Sequence, residues 1–424
     1  MLMSKIVPSK WIVLSSALCV GLCACSSASG PGAGGGNDAA ASGSGGSTAG
    51  GSGGSLGSGG ASATGGSTGS GGSVGNGSGG ASATGGSTGS GGSAVDGSAS
   101  GDAGKDGPVG PVGTKGVQAD PGTDGDGTIP QPPPYPPAPE TVARNPGVPV
   151  GKVMPYQIYA SKSVYPGMKF NYTVYVPAQY QKGKPAAFMV FLDGQHFAGP
   201  GPGPTIPTPI PAEDYHWNAP VLYDNLIAAG QLPVTIVAFQ DPGTNTGVYR
   251  RGDNFHPDAE ERSMEYDQPN DGYARFLINE FIPDAITPNW DIVDDPDGWG
   301  IGGHSSGGIA AIEACWFRPD KFRKAHSSSA SYPNTNNFPG EPTFPSVFNT
   351  VKPPKPIRIT MLSGTMDDPG WFDANNNAAM VLKTNGYHYR YRPGMDNHTP
   401  PLAAINEFAD AMRWLWRGYT LPWY

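Results

Sequence analysis

The chain has 424 residues, but its 65 glycines and 45 prolines are unevenly spread, so the length overstates the part that can fold. A formal net charge of −9 without any cluster of Lys or Arg argues against a nucleic-acid partner, because phosphate binding needs a basic face. An acidic balance of this kind serves solubility.

The first 25 residues place Lys5 and Lys10 ahead of an apolar run from Trp11 to Leu22, the charged and hydrophobic regions of an export signal. The run is too short for a comfortable membrane-spanning helix. It ends in Leu22-Cys23-Ala24-Cys25-Ser26, which resembles the processing box of bacterial lipoproteins and implies a lipid anchor on Cys25. An exported chain, held at the outer membrane or cell surface, is the expectation. Of the four cysteines, only Cys315 lies beyond the signal, so no disulfide can form within the folded part, and a buried inert thiol is expected there.

Residues 26–139 are almost wholly Gly, Ser, Ala, Thr and Pro, too poor in large apolar side chains to offset the entropy of ordering a backbone. Two near-identical 15-residue copies begin at Gly59 and Gly79, and they read as a duplicated flexible spacer. Glycine recurs every third position from Gly101 to Gly116, too briefly for a collagen helix. The proline run from Pro130 to Pro137 predicts a stiffer, extended end to this disordered linker.

From Glu140 to Tyr424 aromatic and branched residues become frequent, and one α/β domain is expected. Alternation over Val153–Ala160 and Phe170–Val176 predicts two strands joined by a turn at Tyr165-Pro166-Gly167. Continuous apolar runs, Ala187–Leu192 and Val234–Phe239, predict buried strands. Helical patterns follow at Val221–Ala229, Tyr273–Phe281, Gly307–Phe317, Asn376–Thr384 and Leu402–Arg417. Strands alternating with helices imply a mostly parallel, mixed sheet covered by helices on both faces.

Gly303-His304-Ser305-Ser306-Gly307 carries G-x-S-x-G between a strand pattern and a helix pattern, the context of a nucleophile elbow in the α/β-hydrolase fold. A serine hydroxyl needs a base, and the base needs a carboxylate to hold its tautomer. In this fold the chain order is serine, acid, histidine. His326 and His388 fall in strand patterns, whereas His398 lies in a loop before the last helix and is the expected base. The loop after Ile357–Leu362 offers Asp367 and Asp368 as the acid. Asp367 is favoured because Asp368 precedes Pro369 and suits a cap. The amides of Ser306 and Gln195 are expected to form the oxyanion hole, with His196 lining the pocket. Trp217, in a long insertion after that loop, is a candidate substrate contact. No metal or organic cofactor is required; Asp294, Asp295 and Asp297 lack the spaced ligands of a calcium loop.

Together these segments resemble the esterase family that includes enterochelin esterase and feruloyl and acetyl-xylan esterases. Phe191–Gln195 resembles its oxyanion loop, Glu261–Asp267 its arginine-containing segment, and Gly303–Gly307 its nucleophile turn. Gly364–Asp367 and Asn397-His398 resemble its acid and histidine loops, and the likeness runs from about Val148 to Trp416. The resemblance implies hydrolysis of a small-molecule or polysaccharide-linked ester through an acyl-enzyme, and it implies that Arg262 stands near the mouth of the site. Acyl transfer to an alcohol and a non-catalytic surface-displayed binding module are the alternatives.

Overall fold

The structure, a computed structural model, describes residues 115–199, 217–246, 259–398 and 401–424. The export signal with Cys25, the duplicated spacer, and the stretch 200–216 of the insertion lie outside the described residues.

The strands in chain order are β1 (Val117–Gln118), β2 (Gly127–Thr128), β3 (Lys152–Val153), β4 (Gln157–Ala160), β5 (Lys169–Val176), β6 (Ala187–Leu192) and β7 (Thr235–Thr244). They continue with β8 (Trp299–His304), β9 (Lys324–Ser328), β10 (Arg358–Gly364), β11 (His388–Gly394) and β12 (Tyr419–Thr420). Ten of them form one sheet in the order β2-β11-β10-β9-β8-β6-β7-β5-β3, with β4 also paired to β5. From β2 to β7 every neighbouring pair is parallel, while β5 runs antiparallel to β7, β3 and β4. The mixed sheet with an antiparallel start is therefore the one the alternation patterns predict.

The helices are α1 (Pro139–Val142), α2 (Gly194–Ala198), α3 (Ala219–Ala228), α4 (Ala259–Tyr266), α5 (Gly272–Phe276), α6 (Ser306–Phe317), α7 (Pro369–Thr384) and α8 (Leu402–Trp416). Helix α5 widens into a π-helix over Leu277–Ile286, where Pro283 has no N–H to give.

Burial explains the central strands. Every side chain of β6 from Ala187 to Leu192 is shielded from solvent, and β6 lies between β7 and β8 in the middle of the sheet. Over one face, Phe191 stacks on Phe197 with ring centroids 4.5 Å apart, Phe197 stacks on Trp217 at 4.7 Å, and Trp217 meets Phe408 of α8 edge-on at 4.9 Å. Each of these rings buries enough area to contribute roughly 1.5–3 kcal/mol.

The chain enters β7 on one side of β6 and returns to β8 on the other. That reversal opens a crevice at the carboxyl ends of β6 and β8, where open α/β sheets bind their ligands.

Residues 115–139, which composition assigns to the linker, are part of the fold, so the folded unit extends upstream of Glu140. β2 pairs with β11, and β1 pairs with β12. Ile129 N donates to Tyr391 O at 3.0 Å and Gln131 N to Pro393 O at 2.8 Å. Asp126 accepts from Trp414 Nε1 at 3.0 Å and pairs with His388 Nδ1 at 2.9 Å. The attachment is mainly backbone hydrogen bonding along the edge strand β11, which needs few apolar side chains and so leaves little trace in composition.

A chain beginning at Glu140 is expected to melt about 5 °C or more below one beginning at Lys115, because a few kcal/mol of edge pairing is lost. Calorimetry of the two chains checks this; equal melting temperatures would show that the segment adds nothing to the domain.

Candidate active site

Ser305 sits between β8 and α6 with φ 60° and ψ −123°, a conformation an L-residue adopts only under local constraint. The constraint is the crossing of strand and helix. A Cβ added to Gly303 would stand 2.4 Å from the carbonyl carbon and oxygen of Gly307, so position 303 admits only glycine. Ser305 N donates to Ser328 O of β9 at 2.8 Å, and Ser305 O accepts from Gly308 N at 2.9 Å. From Gly298 to Trp316 every residue is buried except Ser305, which is partly exposed.

The acid and the histidine arrive on the loops after β10 and β11. These loops are laced together: Thr365 N donates to Gly394 O at 2.8 Å and Met366 N to Asp396 O at 2.9 Å. Gly364 permits the approach, since a Cβ there would lie 2.0 Å from Asp396 O. His398 Nδ1 donates to Asp367 Oδ2 at 2.8 Å. Asp367 is almost fully buried, with 3% of its side chain exposed, while His398 keeps 27%. The carboxylate thus faces protein and the imidazole reaches solvent, and the bond at Nδ1 leaves Nε2 as the acceptor nitrogen. Asp368 is used differently, since its Oδ1 caps α7 by accepting from Gly370 N at 2.9 Å.

Two rings enclose His398. Trp371 of α7 meets it edge-on at 4.7 Å, and His304, the residue before Ser305, lies 4.6 Å away between centroids. The structure therefore brings His398 and Asp367 to the end of β8 that carries Ser305. Burial, and then the neighbouring His398 and His196, push His304 well below the usual histidine range. His304 is accordingly neutral, and its Nδ1 lies 3.0 Å from Ser328 Oγ. His326 is buried among Phe191, Phe197 and Phe408, and His388 is bound to Asp126.

Several expectations need correction. The Gln195 amide, expected in an oxyanion hole, is donated to Asp241 Oδ1 at 3.0 Å, and the Gln195 side chain donates through Nε2 to Asp241 Oδ2 at 2.5 Å. The cause is the left-handed backbone of Asp193 (φ 51°), which turns the start of α2 onto the end of β7. Trp217 is fully buried in the aromatic layer and is a core residue, its ring sandwiched by Phe197 and Phe408. Arg262 forms a two-pronged ion pair with Asp193. Its Nε and one terminal nitrogen bind the two oxygens of Asp193 at 2.9 and 2.7 Å, and its guanidinium lies 5.3 Å over the Tyr266 ring. His196 stands half-buried on α2.

Three carboxylates beneath the site carry no motif of their own in the sequence. Asp193 holds Arg262, and Asp241 holds Gln195 together with Asn171, whose Nδ2 donates at 3.1 Å. Asp267, 1% exposed, accepts from Ser263 Oγ (2.9 Å), Ser306 Oγ (3.1 Å), Ser331 Oγ (2.9 Å) and Asn334 Nδ2 (3.1 Å). The local signal was slight: Asp193 and Asp267 lie in segments that carry the family resemblance, and Asp241 lies just past the apolar run Val234–Phe239. Cys315 is fully buried on α6, and burial pushes its thiol up, out of the reactive range. Asp294 and Asp297 pair with Lys321 and Arg323, and Asp295 accepts from Asp297 N.

A serine at a strained strand-to-helix turn at the carboxyl end of a parallel strand, with an aspartate and a histidine on later loops, defines the α/β-hydrolase class. The sequence pattern of the family described as "Putative esterase" matches residues 163–407, and the chain belongs to that family. Among solved structures it is similar to the enterochelin esterase of Shigella flexneri, with 19% identity over 65% of this chain and 60% of that one and a TM-score of 0.47. It is also similar to a ferulic acid esterase of Anaeromyces mucronatus, with 16% identity over 66% of this chain and 96% of that one and a TM-score of 0.48. The chain spans about 60% of the length of the enterochelin esterase it matches. No curated protein sequence matches it.

Burial pushes the Asp241 carboxyl up to about 7, against the lowering effect of its bonds from Gln195. Between the ordinary value of 3.8 and about 7 the unfolded chain sheds a proton that the folded chain keeps, so this group's contribution to stability falls as pH rises through that window. Asp241→Asn removes the titration. Relative to the natural protein, the variant is expected to gain stability steadily from about pH 4 to about pH 7 and then level off; denaturant midpoints across this range, if parallel for both proteins, would contradict it.

Proposed function

We propose that the domain hydrolyses carboxylic esters through an acyl-enzyme, with Ser305 as nucleophile, His398 as general base and Asp367 as the group that orients it. The observation that carries this reading is the bond from His398 Nδ1 to buried Asp367, made beside the strained turn that presents Ser305. His398 Nε2 takes the Ser305 proton as Oγ attacks the ester carbonyl, and then gives it to the leaving alcohol. Asp367 holds the tautomer and stabilises the imidazolium. The Ser306 amide, at the positive end of the twelve-residue helix α6, faces the anion of the tetrahedral intermediate. Water then releases the acyl group by the same steps in reverse order.

The substrate side is bulky and partly apolar in this reading. Met366 and Met395, 54% and 60% exposed, flank the acid and histidine in their loops, and partly exposed Trp371 and Phe372 open α7 beside them. Such a rim suits phenolic or other large acyl groups, whether on a carbohydrate or in a siderophore trilactone, better than acetate alone. The charged and apolar regions of the first 25 residues support export, and Cys25 supports attachment to a membrane through lipid.

Ser305→Ala and His398→Ala are each expected to lower kcat on a responsive ester by about 10⁴-fold or more, and Asp367→Asn by a comparable factor, with folding unchanged. Asp368→Ala is expected to cost only about 1 kcal/mol of stability through its helix cap. A panel of acetyl, feruloyl and trilactone esters, with fluorophosphonate labelling of the serine, is the measurement. Full activity in Ser305→Ala would end the proposal.

A further inference from the structure

Asp267 touches none of the reacting groups, yet it joins three segments that surround the nucleophile. We propose that Asp267 is a positioning residue that fixes the direction of the Ser306 amide, and so the strength of oxyanion stabilisation. The inference rests on the acyl-enzyme reading of Ser305.

A trans peptide is planar, and its C=O and N–H point in opposite directions. Whatever fixes the Ser305 carbonyl therefore fixes the N–H of Ser306. That carbonyl accepts from Gly308 N at 2.9 Å and Ile309 N at 3.2 Å inside the turn, and from Ser331 N at 3.3 Å across it. Ser331 is the external support, and its hydroxyl donates to Asp267 Oδ1 at 2.9 Å. The other side of the same peptide is held too, because Ser306 Oγ donates to Asp267 Oδ2 at 3.1 Å. One carboxylate thus holds both residues that set the orientation of the 305–306 peptide.

The rest of its surroundings make Asp267 a fixed point. Ser263 Oγ and Asn334 Nδ2 also donate to its Oδ2, at 2.9 and 3.1 Å, and its own amide donates to Ser263 O at 2.9 Å. Three of its four donors converge on Oδ2 and one on Oδ1, so turning the carboxylate would break several bonds at once. The loop bearing Ser331 is anchored separately: Ser329, at φ 43°, donates its N–H to Leu362 O of β10 at 2.7 Å. β10 leads to Asp367, so the oxyanion donor and the acid of the His398 pair are referenced to one support. Glu313, on the same helix as Ser306, is pushed well above the carboxylate range by burial first and by Asp267 second.

The test compares the natural full chain with Asp267→Asn, Ser306→Ala, their combination and Ser305→Ala, on 4-nitrophenyl acetate and on a fluorophosphonate probe. Ser306→Ala keeps the backbone N–H, so any rate it loses reports orientation and not a missing donor. Asp267→Asn and Ser306→Ala are each expected to lower kcat about 10- to 100-fold with KM within about twofold, and to slow labelling of Ser305 in the same proportion. The combined variant should be no slower than Asp267→Asn alone, since both act through one contact. Natural kcat in the single variants, a loss confined to KM or to melting temperature, or fully multiplicative losses would overturn the inference. If Asp267→Asn does not fold, Ser306→Ala decides on the same readouts. Failure of the underlying reading looks different: Ser305→Ala would then hydrolyse the ester, or the natural chain would take no label.

Discussion

The backbone of Gly303 passes that of Gly307 so closely that a Cβ on the former would lie 2.4 Å from the latter's carbonyl oxygen. This crossing forces Ser305 into its strained positive-φ conformation and lifts its side chain out of an otherwise buried run. The strain persists because the two flanking elements cannot move: β8 lies between β6 and β9 in the sheet, and α6 is buried along nearly its whole length. A rigid sheet and a rigid helix together keep the Ser305 hydroxyl in a fixed place at the turn.

Beneath that turn lies an unusual concentration of buried acid. Asp193, Asp241, Glu265, Asp267 and Glu313 are each less than 5% exposed. They are tolerated for different reasons. Asp193 has an arginine fork, and Asp267 has four neutral donors. Glu265 accepts from Gly243 N at 2.9 Å, yet burial pushes it up to about 8, and Asp241 goes the same way to about 7. The group is therefore only partly ionised near neutrality, which limits repulsion among the carboxylates beneath the turn.

The loops that deliver the acid and the histidine follow the same logic with backbone in place of side chains. Two amide-to-carbonyl bonds join them, and a glycine at 364 lets the chains touch. The linker-like segment upstream adds to the support, since Tyr135 OH accepts from Met395 N at 2.6 Å in the histidine loop. A stretch poor in apolar side chains thus steadies a functional loop through polar contacts alone.

Patterns local in the chain were legible in the sequence: the apolar runs that became β6 and β7, the alternation of β5, the helical period of α8, and the glycines around Ser305. Each depends on residues within a few positions of one another, so periodicity and spacing capture it. The order of serine, acid and histidine also pointed to Asp367 and His398. Tertiary structure decided the rest, because those facts depend on contacts between distant segments. It gave Asp368 to the helix cap, sent Trp217 into the core, turned the Gln195 amide toward Asp241, and folded residues 115–139 onto an edge strand. A hydrogen bond between residues 64 positions apart, such as Ser331 to Asp267, leaves no period or motif behind, and only the packing of strands and helices brings its partners together.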